Sequence, residues 1–391
     1  MSTVILDATR TAIGGFGGSL KEIPAPHLAA HCIKTVVERN AIDPATIDDV
    51  IMGIVVPAGV GQIPSRQAAI PAGLPVEVPS LTVNKVCASG MRAITLADLL
   101  IRSSEAGLCI AGGMESMSRV PYASFGHRWG SKMGNAELVD LMVHDGLWCA
   151  FDDVHMASHG EKVAKEYGLT RAQCDEFAAL SQQRAGAAMA AGRLDDELTP
   201  FPIPQRKGDP VMFVKDEQPR PETTVEKLAM LRPVLGTETI TAGNAPSVND
   251  GGAAVVVCSE ERAKELGKKP LAYIRGEAHV ALKPYQFPIA PAFAIKKLLD
   301  KTGHKLSDIA VFEVNEAFAA VVLACGAELK WDAAKVNPNG GAIAYGHPIG
   351  MSGARITMTL AYELRRRGGG LGVAAICSGS GQGDAVLLEV K

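Results

Sequence analysis

Cys87 lies in a segment whose residue types could support nucleophilic chemistry. Residues 83–90 have the sequence VNKVCASG, which predicts a strand, a tight turn and the start of a helix. Unpaired N–H groups and the helix dipole stabilise a thiolate at such a position, so we expect a lowered pKa for Cys87. The alternative is a buried structural cysteine, because free cysteine is among the most buried residue types.

A histidine stands in a second glycine-rich segment, residues 337–350, with the sequence NPNGGAIAYGHPIG. Glycine permits positive φ angles and the close approach of a ligand. His347 is therefore a candidate general base for a nearby thiol. The alternative is a histidine that backbone carbonyl groups hold in a tight turn.

Two further polar side chains follow predicted strands. Cys377 comes directly after the apolar run 373–376 and before SGSGQG, whose N–H groups could form an oxyanion hole. Asn315 follows the apolar run 309–314. The alternatives are an inert thiol in a glycine loop and an asparagine that caps a helix. Two cysteines, a histidine and an asparagine at strand ends together indicate thiol-based acyl transfer.

Short apolar runs alternate with amphipathic segments along the chain. Helices are predicted at residues 91–101 and 354–365, and strands at residues 50–52, 108–111, 253–257, 309–314 and 372–376. This alternation is typical of an α/β fold with a largely parallel sheet.

The chain also contains an internal repeat. In order and at similar separations, the matching pairs are 47–50 with 306–309, 83–84 with 336–337, and 89–94 with 352–356. The repeat predicts two copies of one α/β unit, one near each end. The stretch between the copies has six prolines from Pro200 to Pro221, which are excluded from helix interiors and central strands. We expect a loop-rich insertion there.

The bulk composition excludes several classes of protein. The 391 residues include 47% hydrophobic and 21% charged residues with a formal net charge of -3. These values indicate a globular protein of two or three domains and argue against nucleic acid as a partner. No secretory signal or membrane-spanning run is visible, so we expect a cytoplasmic protein, or one that has lost a transit peptide. Eight cysteines without a CxxC pair predict free thiols and no metal site.

Four ordered segments resemble the signature blocks of the thiolase family. They are residues 84–90, 315–318 (NEAF), 346–348 (GHP) and 377–379 (CSG). The resemblance covers the whole chain and includes two further segments, residues 114–118 and 155–156. The resemblance implies a thiolase-like five-layered αβαβα fold from two duplicated halves, and a homodimer or homotetramer. We expect an N-terminal half at 1–117, completed by 249–270, an inserted loop domain that binds coenzyme A at 118–248, and a C-terminal half at 271–391.

The resemblance also implies a role for each reactive residue. Cys87 would be the nucleophile that carries the acyl group, and His347 would activate it. Cys377 would move the α-proton of the second acetyl-CoA. Asn315 would hold a water that completes one oxyanion hole with His347, and the N–H groups of Cys87 and Gly379 would form the other.

Coenzyme A is implied only as a substrate, with no further cofactor. We expect it to contact Leu147, His155, Met156, Arg220, Ala242, Gly243, Ser247 and Phe318. Two positions depart from the short-chain thiolase pattern. Pro246 stands where many of these enzymes have the serine that here is Ser247, and Lys227 stands where a small polar residue is expected near the adenine.

The expected reaction is the reversible condensation of two acetyl-CoA molecules to acetoacetyl-CoA and CoA, or thiolysis, through an acyl-cysteine in a ping-pong mechanism. The alternative is a 3-ketoacyl-CoA thiolase of broader chain length from fatty-acid β-oxidation. Residues 283–291, which include Phe287 and Pro288, resemble thiolases that also cleave 2-methylacetoacetyl-CoA.

Two other classes of protein compete with this interpretation. A ketoacyl synthase pairs one cysteine with two histidines, or with a histidine and an asparagine, so the second cysteine, Cys377, argues against it. A non-catalytic CoA-binding protein on a decayed scaffold would be expected to lack Cys87 or His347, and both are present.

Overall fold

The structure is a computed structural model that describes residues 2–391. Its strands are β1 (Thr3–Thr11), β2 (Gly14–Gly15), β3 (Asp49–Gly53), β4 (Ser80–Val83), β5 (Leu108–Ser116), β6 (Tyr122–Ala123), β7 (Val139–Asp140), β8 (Trp148–Cys149), β9 (Val154–His155), β10 (Leu198–Thr199), β11 (Phe201–Ile203), β12 (Val211–Phe213), β13 (Asn249–Ser259), β14 (Ala272–Ala281), β15 (Ile309–Val314), β16 (Gly370–Ser378) and β17 (Gln382–Val390).

Its α-helices are α1 (Ala25–Arg39), α2 (Pro64–Ala69), α3 (Ser89–Arg102), α4 (Met156–Glu166), α5 (Arg171–Ala190), α6 (Val225–Ala229), α7 (Glu260–Glu265), α8 (Ala290–Thr302), α9 (Ala319–Leu329), α10 (Ala342–Tyr345) and α11 (Ile349–Arg366). The strands and helices predicted from the sequence fall within these elements.

The expectation of a largely parallel sheet is wrong. The main sheet has the order β15-β16-β17-β14-β1-β13-β5-β3-β4. β3 pairs parallel with β4 and β5, and β15 pairs parallel with β16. Along this order, every pair of neighbouring strands from β16 through β17, β14, β1 and β13 to β5 is antiparallel. The cause is connectivity, because β16 and β17 form a hairpin, and β13 returns from the insertion to lie between β1 and β5.

The sheet wraps around two buried helices. β5 and β15 lie six positions apart in the strand order, a separation of about 29 Å if the sheet were flat. α11 nevertheless packs against both of these strands, and α3 packs against β3, β5 and β17. The two parts of the sheet therefore face each other across α3 and α11, which form the central layer.

Other helices cover the outer faces of the sheet. α1 and α2 pack on the N-terminal strands in one apolar cluster, and α8 packs on β14, β16 and β17 in another. The layer order α1–α2, sheet, α3–α11, sheet, α8 confirms the five-layered αβαβα fold. Within residues 2–391, the helices are too short or too polar to cross a lipid bilayer.

The internal repeat places equivalent glycines where the central helices cross. A Cβ added to Gly90 in α3 would lie 2.8 Å from the backbone N of Ala354. One added to Gly353 in α11 would lie 2.5 Å from the backbone N of Met91. Gly90 and Gly353 occupy matching positions of the repeat. The absence of a side chain lets the helices approach closely, and this sets the distance between the turns that precede them.

The insertion packs on the C-terminal half through two helices. α4 and α5 share an apolar cluster with α9, to which Val163, Ala178 and Val321 contribute. The proline-rich run forms irregular chain and the small β11–β12 hairpin. The packing of α4 on α9 brings the start of α4 close to the strand ends of the C-terminal half.

Candidate active site

Cys87 stands in a strained turn between β4 and α3. Val86 has a φ of 46°, which is unfavourable for a β-branched residue. The Val86 N–H donates to the Asn84 side chain at 3.0 Å. The Ser89 hydroxyl accepts from the Lys85 N–H at 2.8 Å and donates to the Val86 carbonyl at 2.6 Å. These bonds hold the strained turn and place Cys87 just before α3 begins.

The expectation of a lowered pKa for Cys87 is wrong. Burial raises the pKa of Cys87 to about 12, and the carboxyl group of Glu115 acts in the same direction. The backbone N–H groups of Cys87 and Gly379 oppose the shift because they favour the thiolate. The loss of water around the sulfur outweighs these donors and the helix N-terminus, so the resting residue is a neutral thiol.

His347 faces Cys87, with Nε2 3.3 Å from Sγ. On the other side of the ring, Nδ1 lies 2.6 Å from the Ser352 hydroxyl, which donates to the Pro348 carbonyl at 2.9 Å. Since that hydroxyl proton is in use, we assign the ring proton to Nδ1, which leaves Nε2 as the acceptor for the thiol. Burial, assisted by the charge of Arg355, lowers the pKa of His347 to about 3, so the ring is neutral.

The turn before His347 requires a glycine. Gly346 has a φ of 98°, and a Cβ there would lie 2.3 Å from Asn249 Oδ1. That same oxygen accepts a hydrogen bond from the His347 N–H at 2.9 Å. The sequence patterns identified neither Asn249 nor Ser352 as a site residue. A signal for Ser352 was present, because the repeat matches it to Ser89, which orders the Cys87 turn.

Asn315 is not a helix cap, because α9 begins only at Ala319. The side chain is fully buried, and its Nδ2 lies 3.4 Å from His347 Nε2. Its Oδ1 has no hydrogen-bond partner among residues 2–391. The neighbouring carboxylate of Glu316 is held firmly, and it accepts hydrogen bonds from Ser181, Asn337 and the N–H of Ile343. This network holds the chain where the Asn315 amide reaches the histidine.

Cys377 lies at the end of β16, close to the Cys87 turn. Its side chain is fully buried, and burial raises its pKa well above the usual range, with the neighbouring Cys87 acting in the same direction whenever it is ionised. The Ser378 hydroxyl donates to the Lys85 carbonyl at 2.5 Å, which joins this loop to the Cys87 turn. The N–H of Gly379 faces the Cys87 sulfur. Two thiols and backbone donors are therefore brought together from opposite halves of the chain.

A cavity of about 520 Å³ leads from the surface to these groups. Its inner wall includes the half-buried Cys87 and the buried His347 and Gly379, whereas Leu235, which is 60% exposed, lies at the outer rim. Most of the lining side chains are apolar. Cys377 and Asn315 lie outside the lining, so Cys87 is the sulfur that a ligand in this cavity meets.

Most of the residues expected to contact coenzyme A line this cavity, namely Leu147, His155, Met156, Ala242, Ser247 and Phe318. Gly243 and Arg220 do not line it, and Arg220 is exposed elsewhere on the insertion. Of the two departing positions, Pro246 lines the cavity and Lys227 lies outside its lining, in α6.

Two family models and several full-length relatives match the chain. The family model of the thiolase N-terminal domain matches residues 3–261, and that of the thiolase C-terminal domain matches residues 268–390. The chain is 52% identical over 386 residues to an acetyl-CoA acetyltransferase of Pseudomonas aeruginosa, with 98% of each chain covered. It is 49% identical over 389 residues to an acetyl-CoA acetyltransferase of Cupriavidus necator, with 99% of each covered.

A probable acetyl-CoA acetyltransferase of Escherichia coli is 45% identical over 387 residues, which are 99% of this chain and 98% of the relative. Together, the two family models and the full-length relatives match almost the whole chain. The chain belongs to the thiolase family of acyltransferases.

Proposed function

We propose that this thiolase catalyses the reversible condensation of two acetyl-CoA molecules to acetoacetyl-CoA and CoA. The observation that carries the proposal is the 3.3 Å contact between Cys87 Sγ and His347 Nε2 at the buried wall of an apolar cavity. The names of the relatives support acetyl-CoA as the substrate. Thiolysis of longer 3-ketoacyl-CoA substrates is the alternative that a substrate series would reveal.

In the first half-reaction, the Cys87 sulfur attacks the carbonyl carbon of acetyl-CoA while its proton passes to His347 Nε2. The N–H groups of Cys87 and Gly379 stabilise the negative charge on the carbonyl oxygen, by about 2–4 kcal/mol per donor. The bond from carbon to the CoA sulfur then breaks, and Cys377 gives its proton to that sulfur. Acetylated Cys87, protonated His347 and the Cys377 thiolate remain.

In the second half-reaction, the Cys377 thiolate removes an α-proton from a second acetyl-CoA. Burial raises the pKa of Cys377, so its thiolate is a strong base suited to a weakly acidic carbon. The resulting carbanion attacks the acetyl group, the Cys87 sulfur leaves, and it recovers its proton from His347. Asn315 would support His347 and the thioester oxygen through a bound water. Both cysteines and the histidine return to their starting states.

The same proposal includes the division of the chain and its setting. Residues 118–248 would bind coenzyme A, between an N-terminal half at 1–117 with 249–270 and a C-terminal half at 271–391. The support is that Leu147, His155 and Ser247 of the insertion line the cavity. The resemblance to thiolases supports a homodimer or homotetramer that acts in fatty acid metabolism in the cytoplasm, with coenzyme A as substrate and no further cofactor.

Incubation with acetyl-CoA alone tests the first half-reaction. We expect mass spectrometry to find one acetyl group on the peptide that contains Cys87. A label found only on Cys377 would reverse the two roles. A thiolysis series from four to sixteen carbons then tests the substrate, and we expect the four-carbon compound to give the highest kcat/KM.

A further inference from the structure

Three side chains of metal-binding types meet outside the proposed active site. Cys149 ends β8, Asp152 lies in the turn between β8 and β9, and His159 lies in the first turns of α4. One ligand atom from each of these side chains lies within 4.8 Å of the other two. Because β9 runs directly into α4, the local fold brings the three together.

His159 gives an independent indication of a missing partner. It is 3% exposed, and its Nδ1 has no hydrogen-bond partner among residues 2–391. Its Nε2 lies 2.9 Å from Asp152 Oδ2, but this contact lacks the geometry of a hydrogen bond. A buried polar atom without a partner is costly, and native proteins rarely leave one unsatisfied. The buried sulfur of Cys149, a residue that is 2% exposed, stands beside this ring.

We propose that Cys149, Asp152 and His159 form a binding site for a divalent cation of the Zn²⁺ class. A thiolate, an imidazole and a carboxylate favour Zn²⁺, whereas Mg²⁺ and Ca²⁺ take oxygen ligands. Tetrahedral bonds of about 2.0–2.3 Å place ligand atoms roughly 3.3–3.6 Å apart. The side chains would therefore need to shift by up to about 1 Å, and His159 Nε2 and Asp152 Oδ2, now 2.9 Å apart, would need to separate slightly. The Asp152 side chain is 46% exposed, which leaves the fourth position open to water.

The site lies directly behind one wall of the cavity. His155 is the N-cap of α4 and, with Met156, lines the cavity, while His159 is one helical turn further along. A cation held by His159 and by the β8–β9 hairpin would tie the start of α4 to that hairpin. None of the three ligands takes part in the proposed reaction, so the ion would support the cavity wall without entering the chemistry.

Titration of the full-length protein with Co²⁺, after removal of bound metal with a chelator, tests the site. Co²⁺ replaces Zn²⁺ at such sites, and a thiolate ligand gives a charge-transfer band in the near ultraviolet. We expect the band to saturate near one equivalent and to disappear when Zn²⁺ is added. We expect Cys149→Ser to abolish it and Cys87→Ala to retain it.

The Cys87→Ala variant is needed because Cys87 and His347 are the other adjacent thiol and imidazole. Loss of the band in Cys87→Ala, or its retention in Cys149→Ser, would place the cobalt elsewhere and overturn the proposal. Absence of the band in the unmodified protein at stoichiometric Co²⁺ would overturn it as well.

Asp152→Asn provides a second test if Cys149→Ser does not fold, because the Asp152 side chain is partly exposed. We expect its Kd for Zn²⁺, measured by competition with a chromophoric chelator, to rise about tenfold or more. The matched control is His144→Gln. His144 Nδ1 lies 2.6 Å from Asp145 in an exposed pair, and its loss should leave the Kd unchanged. An unchanged Kd in Asp152→Asn, or an equal rise in both variants, would contradict the site.

Discussion

Cys87 and Cys377 are thiols at strand ends from opposite halves of the molecule, and their surroundings differ. Cys87 keeps part of its surface open to the cavity and has His347 Nε2 at 3.3 Å. Cys377 is fully buried and lies outside the cavity lining. The pKa of both thiols is raised, so access is the main difference between them. The open side of Cys87 suits it to attack a substrate carbonyl, and the complete burial of Cys377 suits it to proton transfer. This difference separates the two half-reactions in the mechanism that we propose.

The largest effect is expected from Cys377→Ala. Acetylation of Cys87 should still occur, but more slowly, because Cys377 no longer protonates the departing CoA sulfur. The rate of condensation should fall further, about 10²- to 10⁴-fold, because no base remains to remove the α-proton. Mass spectrometry and a condensation assay would measure the two steps separately. Cys325→Ala is the matched control, since Cys325 is a fully buried thiol of the same apolar cluster. Near-normal turnover in Cys377→Ala would remove the distinction between the two thiols.

Ser352→Ala should slow the reaction of Cys87 and leave the role of Cys377 unchanged. Without its hydroxyl, the proton on His347 Nδ1 loses its acceptor, and Nε2 is no longer held as the free nitrogen. The rate of Cys87 acetylation should fall about ten- to a hundredfold, the equivalent of one buried hydrogen bond of roughly 1–3 kcal/mol. Thr357→Ala removes another buried hydroxyl from α11 and should change the rate little. Equal losses in both variants would indicate a general effect on the helix.

A 2-methyl branch tests the space around the carbon from which Cys377 takes the proton. Phe287 is buried, lines the cavity and packs against the rings of Phe318 and His159. We expect kcat/KM for thiolysis of 2-methylacetoacetyl-CoA to lie within about tenfold of the value for acetoacetyl-CoA, or roughly 1.4 kcal/mol. A several-hundredfold preference for the unbranched compound would mean that Phe287 and Pro288 only pack the loop.

Arg220→Ala should have a smaller effect, and only on binding. Coenzyme A carries an anionic head, and the exposed Arg220 is a candidate contact for it, although it lies outside the cavity lining. We expect the KM for CoA to rise about threefold and kcat to stay unchanged, the pattern of lost uniform binding. Arg206→Ala, at another exposed arginine of the insertion, serves as the control. An unchanged KM in both variants would make Arg220 a solvated surface charge.

The smallest effect is expected from pH. The pKa of His347 is lowered to about 3, so the base is lost only as pH falls toward that value. The pKa of Cys87 is raised to about 12, so the thiolate forms without substrate only as pH rises toward that value. Between these limits the pair is neutral, and kcat/KM for acetylation should be nearly flat from about pH 6 to 9. A sharp rise near pH 6.5 would instead show that the histidine titrates as an exposed imidazole does.

The candidate reactive residues could be identified in the sequence because each one stands in a local pattern that its proposed chemistry requires. Cys87 precedes a helix, His347 stands among glycines, and Cys377 is followed by bare backbone donors. Asn249 was missed because it reaches His347 from β13, 98 residues earlier in the chain. Ser352 lies only five residues after His347 and was missed although the repeat matches it to Ser89. The prediction of a largely parallel sheet was wrong for a similar reason. β13 follows the whole insertion in the chain and then returns to pair antiparallel with both β1 and β5.

By itself, the sequence determined the thiolase family, the doubled plan of the chain and the identities of the side chains that could react. The tertiary structure decided their protonation states and their access to a ligand. Cys87 and Cys377 both stand at or just after the end of a strand in glycine-containing segments, yet one opens to a cavity and the other does not. The physical reason is that desolvation depends on which distant segments pack around a group. A short-range pattern places the sulfur, but water is removed from it only when both halves close around α3 and α11.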